Sequence, residues 1–189
     1  MSDLAETDVC EFLYDAIHDT QDIIRAIDLK LHILTAILLL PIIEGNQFGM
    51  KKIIITAFQN QNWATAVVSS IACLLWLMSF CATISGICAI INPKERYTGL
   101  TQVSGIYYTP GLFSFHFFDI FFCCRNTAHK TMDEIRNELP SSRTELLDEL
   151  LFEKMKLSYI RDIKAFRQRI AFRLFTAWLL MTVLLVFFL

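Results

Sequence analysis

From Trp63 to Ile91 the chain reads "WATAVVSSIACLLWLMSFCATISGICAII", 29 residues without a single charged side chain. As an α-helix this run is about 43 Å long at ~1.5 Å per residue. The hydrocarbon core of a bilayer is ~30 Å thick, so the run crosses it with tilt or stands proud at one end. A core helix of a water-soluble domain rarely reaches that length with no polar stripe. Lipid is therefore the expected solvent for this part of the chain.

Composition agrees. Charged residues make up 19% of the 189 and hydrophobic residues 54%, where an ordinary soluble domain carries about 25% charge. The missing charge is missing in blocks, as a bilayer requires. A net charge of −2 argues against bulk affinity for nucleic acid. The opening "MSDLAETDVCEF" is acidic and lacks an apolar stretch, so it does not read as a secretory signal. Of the six cysteines, Cys73, Cys81 and Cys88 lie in the apolar run and Cys123 and Cys124 are adjacent. With Cys10 they form no disulfide framework and read as reduced thiols used as small hydrophobes.

Two more segments are span candidates. Leu174–Leu189 is uncharged over 16 residues, or ~24 Å, slightly short of a crossing. Arg173 can snorkel to the interface and bring in Ile170–Phe172, giving 20 residues, with the terminal carboxylate expected at the far interface. Leu31–Ile43, "LHILTAILLLPII", is only 13 residues and includes His32 and Pro41. It is read as a first span, with a core helix or re-entrant piece as the alternatives. Thirteen of the 17 basic residues fall between Asn92 and Arg173, and the loop 44–62 holds only Lys51 and Lys52. The positive-inside rule then places 92–173 and the N-terminus in the cytoplasm and 44–62 outside.

The polar remainder reads as helical. Residues 1–30 carry eight acids and two bases, with Phe12, Leu13, Ile17, Ile24 and Ile27 at roughly helical spacing. Asn92–Gly111 is broken by Gly and Pro and reads mostly as loop. The aromatic run Phe113–Phe122 reads as packing at the interface or in the cytoplasmic core. Pro140 ends one element, and Ser142 with Glu145 makes an S-x-x-E capping box for the next. No Gly or Pro follows, so one helix is predicted from Arg143 to Leu189. Two apolar stripes mark its polar half, Phe152–Met155–Tyr159–Ile163–Phe166–Ile170 and Leu146–Leu150–Leu157–Ile160, implying two packing partners, a helical bundle and self-association. The expected architecture is all-α and multi-span. It comprises a cytoplasmic amphipathic helix (1–30), two transmembrane helices with a short external loop (31–91), a cytoplasmic helical sensor region (92–169) and a C-terminal transmembrane helix (170–189).

The chain carries no phosphate-cradling Gly-rich loop, no G-x-S-x-G and no H-E-x-x-H. His116, Cys123, Cys124 and His129 lack the spacing of a known finger, so no metal site is expected. Asp133, Glu134 and Glu138 read as a solvated face, and His32 as interfacial. No catalytic residue is assigned and no cofactor is expected. Lys156, Lys164, Arg167 and Arg169 approach the membrane surface. They read as stop-transfer and headgroup charge, with recognition of a small phosphate ligand by some of them as the sharper alternative.

Three stretches, in this order, carry a resemblance. "IRAIDLKLHILTAILLL" sets Asp28 and Lys30 just before an apolar segment. "GLFSFHFFDIFF" sets an aromatic pair before Asp119. "KLSYIRDIKAFRQRIAF" sets Lys164 and Arg167 ahead of a terminal span. Together, over residues 10–189, they resemble the Pycsar effector transmembrane family. The resemblance implies a bacterial anti-phage effector of the inner membrane, multi-pass with a cytoplasmic N-terminus. It would respond to cyclic UMP or cyclic CMP from a partner cyclase by damaging that membrane and aborting infection. Under that reading Lys164 and Arg167 are candidate phosphate contacts and Tyr159 and Phe118 candidate base platforms. Asp28, Lys30 and Asp119 are motif positions. A homo-oligomer in the bilayer is expected. The competing readings are a nucleotide-independent membrane scaffold and a small oligomeric channel subunit, although the spans lack the intramembrane charges of an ion pathway.

Overall fold

The computed structural model describes residues 6–43, 63–88 and 128–188. It contains helices α1 (Glu6–Ile43), α2 (Trp63–Ile87), α3 (Met132–Glu138) and α4 (Arg143–Phe188), with no strand among the described residues. The amphipathic stretch before Lys30 and the apolar segment from Leu31 lie on one helix. Residues 6–43 form one helix of 38 residues, because no Gly or Pro interrupts it before Pro41. α4 runs unbroken for 46 residues, within one residue of the expected end. The loop 44–62, the segment 92–111 and the aromatic run 113–122 lie outside the described residues.

Among the described residues two helices are long and apolar enough to cross a membrane, α2 through Ala66–Ile87 and α4. Only 22% of Ala66–Ile87 is buried inside the protein, and Val67, Ile71, Leu74, Leu77, Met78 and Ile84 are exposed. So broad an apolar surface is unfavourable in water and neutral in lipid. Hydroxyls follow the same logic. Ser70, Thr83, Thr176 and Thr182 each donate to the carbonyl four residues back at 2.8–2.9 Å, which is how a polar side chain satisfies itself where no water is present.

The chain divides into two compact units, Met1–Gln21 with Ile90–Ile160 and Asp22–Ala89 with Arg161–Leu189. In the first, α1 buries Leu13, Ile17 and Thr20, and α4 buries Leu150, Phe152 and Leu157. Phe12, expected on the apolar face, is instead exposed, with the Lys154 ammonium 5.2 Å above its ring centroid. Met155 of the expected stripe is also exposed, while Glu149, Glu153 and Lys156 are buried. Lys156, read from sequence as a membrane-surface cation, donates to Glu153 one turn earlier.

The starts of α3 and α4 in this unit are closed by capping boxes. The Thr131 hydroxyl accepts from the Glu134 N–H at 3.3 Å, and the Glu134 carboxylate accepts from the Thr131 N–H at 2.7 Å. At α4 the Ser142 hydroxyl accepts from the Glu145 N–H at 3.2 Å. The Glu145 carboxylate accepts from the N–H of Ser141 and of Ser142 at 2.8 and 3.3 Å. The backbone hydrogen bonds to Thr131 and Ser141, respectively, hold Glu134 and Glu145 below the usual carboxylate pKa. The solvated acids Glu134 and Glu138 therefore have local partners, Glu138 binding Lys130 Nζ through both oxygens at 2.6 and 2.7 Å.

In the second unit three helical segments pack together. Leu34 and Leu38 of α1 and Ala171 of α4 form one buried cluster, flanked by Trp76 and Phe80 of α2. Ala72 of α2 joins Trp178 and Leu185 of α4 in another. Within this unit α1 and α4 run parallel and α2 runs against both. The buried face of α2 is Ser69, Ala72, Ser79, Thr83 and Gly86, a small-residue stripe that lets helices approach closely in lipid. Hydrogen bonds cross between helices at these clusters, Trp76 Nε1 donating to the Leu38 carbonyl at 3.0 Å and Ser79 Oγ to the Ala171 carbonyl at 3.1 Å.

Candidate functional site

Three of the residues singled out by sequence, Asp28, Lys164 and Arg167, lie where the apolar segments of the second unit begin. Asp28 is the last acid of α1 before its apolar stretch, and Lys164 sits on α4 about two turns before Ala171. Because α1 and α4 run parallel here, the two side chains meet: Lys164 Nζ donates to Asp28 Oδ1 at 2.5 Å, across 136 residues of sequence. The Lys164 side chain is only 7% exposed, that of Asp28 32%.

Arg167 follows one turn later on α4 and reaches the other neighbour. Its guanidinium donates to the Ser85 carbonyl at 2.6 Å. Ser85 stands in the last turn of α2, where carbonyls lack an intrahelical donor and carry the negative end of the helix dipole. A cation capping that turn satisfies both. The carbonyl of Ile84 is taken by the Cys88 N–H at 3.0 Å.

Gly86 completes the contact. A Cβ there would lie 2.8 Å from Leu31 Cδ1 and 3.7 Å from Arg167 Cβ, and Leu31 is fully buried. A side chain at this position would have to displace the tip of Leu31 where α1 passes beside α2. Within a few residues of each other, α4 thus grips α1 through Lys164 and α2 through Arg167, while α1 and α2 touch through Leu31 and Gly86.

Of the other sequence candidates, Lys30 is exposed on α1 and Tyr159 half-buried on α4 in the first unit. Phe118 and Asp119 lie outside the described residues, as do His116, Cys123 and Cys124. Among the described residues no group of three His, Cys, Asp or Glu is placed to hold a metal ion. Sequence reasoning missed the Ser85 carbonyl, the role of Gly86 and the pairing of Asp28 with Lys164. Gly86 was visible as the lone glycine of an apolar run, whereas a backbone carbonyl carries no residue-type signal at all.

Comparison with known proteins adds the family. Residues 12–189 match the family model described as the Pycsar effector protein domain, a stretch that includes α2, α4 and both halves of the Asp28–Lys164 pair. No curated protein and no solved structure matches the chain. Covering nearly its whole length, the match shows that the chain belongs to the Pycsar effector family.

Proposed function

We propose that this protein is a membrane-disrupting anti-phage effector, activated in the bacterial inner membrane by a cyclic pyrimidine mononucleotide, cyclic UMP or cyclic CMP. Membership of the Pycsar effector family implies an anti-phage effector role and a membrane location. The single observation that carries the finer reading is the family match over 12–189, which joins the apolar helices and the polar region in one domain.

Three spans are proposed: the apolar end of α1, α2, and the apolar end of α4. The first is supported by Leu34 and Leu38, which pack level with Trp76 and Phe80 of α2. The polar ends of α1 and α4 in the second unit lie at the same end as the α2 C-terminus, as a cytoplasmic N-terminus and a cytoplasmic 92–169 region require. The proposed ligand contacts are Lys164 and Arg167 for phosphate and Tyr159 and Phe118 for the base. The nucleotide comes from a partner cyclase, and the assembly is a homo-oligomer without enzymatic activity. The ligand acts by preferring one packing of the cytoplasmic helices over another, the only way binding can move an equilibrium.

The test is dye release from vesicles of bacterial lipid reconstituted with the full chain. Release with cyclic UMP or cyclic CMP, and none with cyclic AMP or without nucleotide, supports the proposal. Release indifferent to nucleotide sinks it in favour of a constitutive channel, and no release under any condition favours a scaffold.

A further inference from the structure

Lys164 occupies an unusual position for a candidate phosphate contact, because an acid already holds it. Its ammonium is almost wholly buried and bonded to Asp28 at 2.5 Å. A buried ammonium left without an anion is strongly unfavourable. Lys164 therefore cannot stand empty: Asp28 leaves it only if another anion takes its place. The pair is open on one side for that exchange. About a third of the Asp28 side chain is exposed while Lys164 is enclosed, so a small solvated anion approaches from the carboxylate side.

The consequences of exchange follow from what else is attached. Three residues along α4, Arg167 holds the α2 terminus through Ser85 at 2.6 Å. Replacing Asp28 would free α1 from α4 at this level and leave α2 attached. Below it, polar bonds between the apolar segments include the Trp76–Leu38 and Ser79–Ala171 contacts, and most of the remaining packing is apolar. In lipid such packing gains little over contact with acyl chains, so the charged contact above decides which arrangement is held.

We propose that the Asp28–Lys164 ion pair is the latch of the resting state, opened when an anionic phosphate replaces the Asp28 carboxylate on Lys164 and α1 separates from α4. This inference rests on the reading that the chain's output is membrane permeability. It needs no particular nucleotide.

The experiment is dye release from vesicles carrying the full chain, with no nucleotide present. Asp28→Asn should leak roughly tenfold faster than wild type or more, as expected when one state loses a contact that the other never had. The exchanged pair, Asp28→Lys with Lys164→Asp, should return leak to the wild-type rate. Should Asp28→Asn fail to insert, Asp28→Asn with Lys164→Met buries no unpaired charge and should also leak. Equal quiet in wild type and in a correctly inserted neutral variant overturns the latch, as does leak from the exchanged pair equal to that of Asp28→Asn. Wild type unmoved by cyclic UMP or cyclic CMP, beside a leaking neutral variant, overturns the nucleotide reading and leaves the latch standing. The reverse overturns the latch alone.

Discussion

The two halves of α4 bury opposite things. Toward its start the helix encloses Glu149, Glu153 and Lys156 beside Leu150 and Phe152 and leaves Met155 exposed. Toward its end it encloses Ala171, Trp178 and Leu185 and leaves Leu179, Leu180, Val183 and Leu184 exposed. Water explains neither pattern alone. In lipid an outward leucine loses nothing, so burial there selects for close fit and for hydrogen bonds, as with Ala171 receiving Ser79 Oγ at 3.1 Å. In the first half, burial of charge is tolerable because Lys156 and Glu153 neutralise each other. One helix thus obeys two sets of rules, and the change falls close to Lys164.

The strongest way to break this comparison is to remove one member of the buried pair. Lys156→Met should cost about 3 kcal/mol of stability, because the Glu153 carboxylate loses its buried cation, whereas Lys156→Met with Glu153→Leu should recover most of it. Denaturation of the detergent-solubilised protein measures both. If the single and double variants are equally stable, the pair is not what makes the burial tolerable.

A comparable effect should appear in the lipid half for an opposite reason. Leu74 is exposed on α2, and in water Leu74→Asp would change stability within about 0.5 kcal/mol. At the centre of a bilayer-spanning helix it should cost about 3 kcal/mol of insertion, read as loss of membrane-integrated protein. Met155→Asp, equally exposed on the polar half of α4, should insert like wild type. Equal behaviour of the two variants would erase the distinction between the halves.

Much of this organisation could be read from the chain. The uncharged stretch from Trp63 identified α2, and the Ser142–Glu145 box with no later Gly or Pro predicted α4 almost to the residue. The same box pattern stands in the sequence at Thr131 and Glu134. Other features were hidden for physical reasons. The continuity of α1 depends on nothing ending the helix at Lys30, and a change from polar to apolar composition is not a helix stop. Burial of Glu149 and Lys156 contradicts the usual exposure of charged residues and shows only in three dimensions. Asp28 and Lys164 were each singled out, but their partnership spans 136 residues, beyond the reach of any local periodicity.

Two smaller effects concern the α1–α2 contact and the helix starts. Gly86→Leu should destabilise the second unit by about 2 kcal/mol, since its side chain would meet the enclosed Leu31. Gly86→Ala should cost less, because the tip of Leu31 can shift. Thermal unfolding in detergent orders the two, and a neutral Gly86→Leu would show that α1 and α2 do not touch there. Smallest is the pH response of the helix starts. The native-state pKa values of Glu134 and Glu145 lie below the unfolded value, about 4.3, so their contribution is complete above that range and is lost as pH falls through the lowered native values. The protection factors of the amides at residues 132–138 and 143–147, with the intrinsic exchange rate's own pH dependence divided out, should therefore fall on acidification in that window and stay flat above it. Insensitivity there would mean that the boxes are not formed.

The central claim is that lipid, not water, surrounds the exposed face of α2, and Cys81 reports on it directly. Its side chain is exposed on the protein surface, so only the bilayer or a neighbouring copy within it can shield the thiol. In a variant retaining Cys81 alone, a membrane-impermeant maleimide applied to both faces of intact vesicles should leave it unlabelled and should label it fully after denaturation in detergent. Rapid labelling of Cys81 in intact vesicles would place α2 in water and contradict the account.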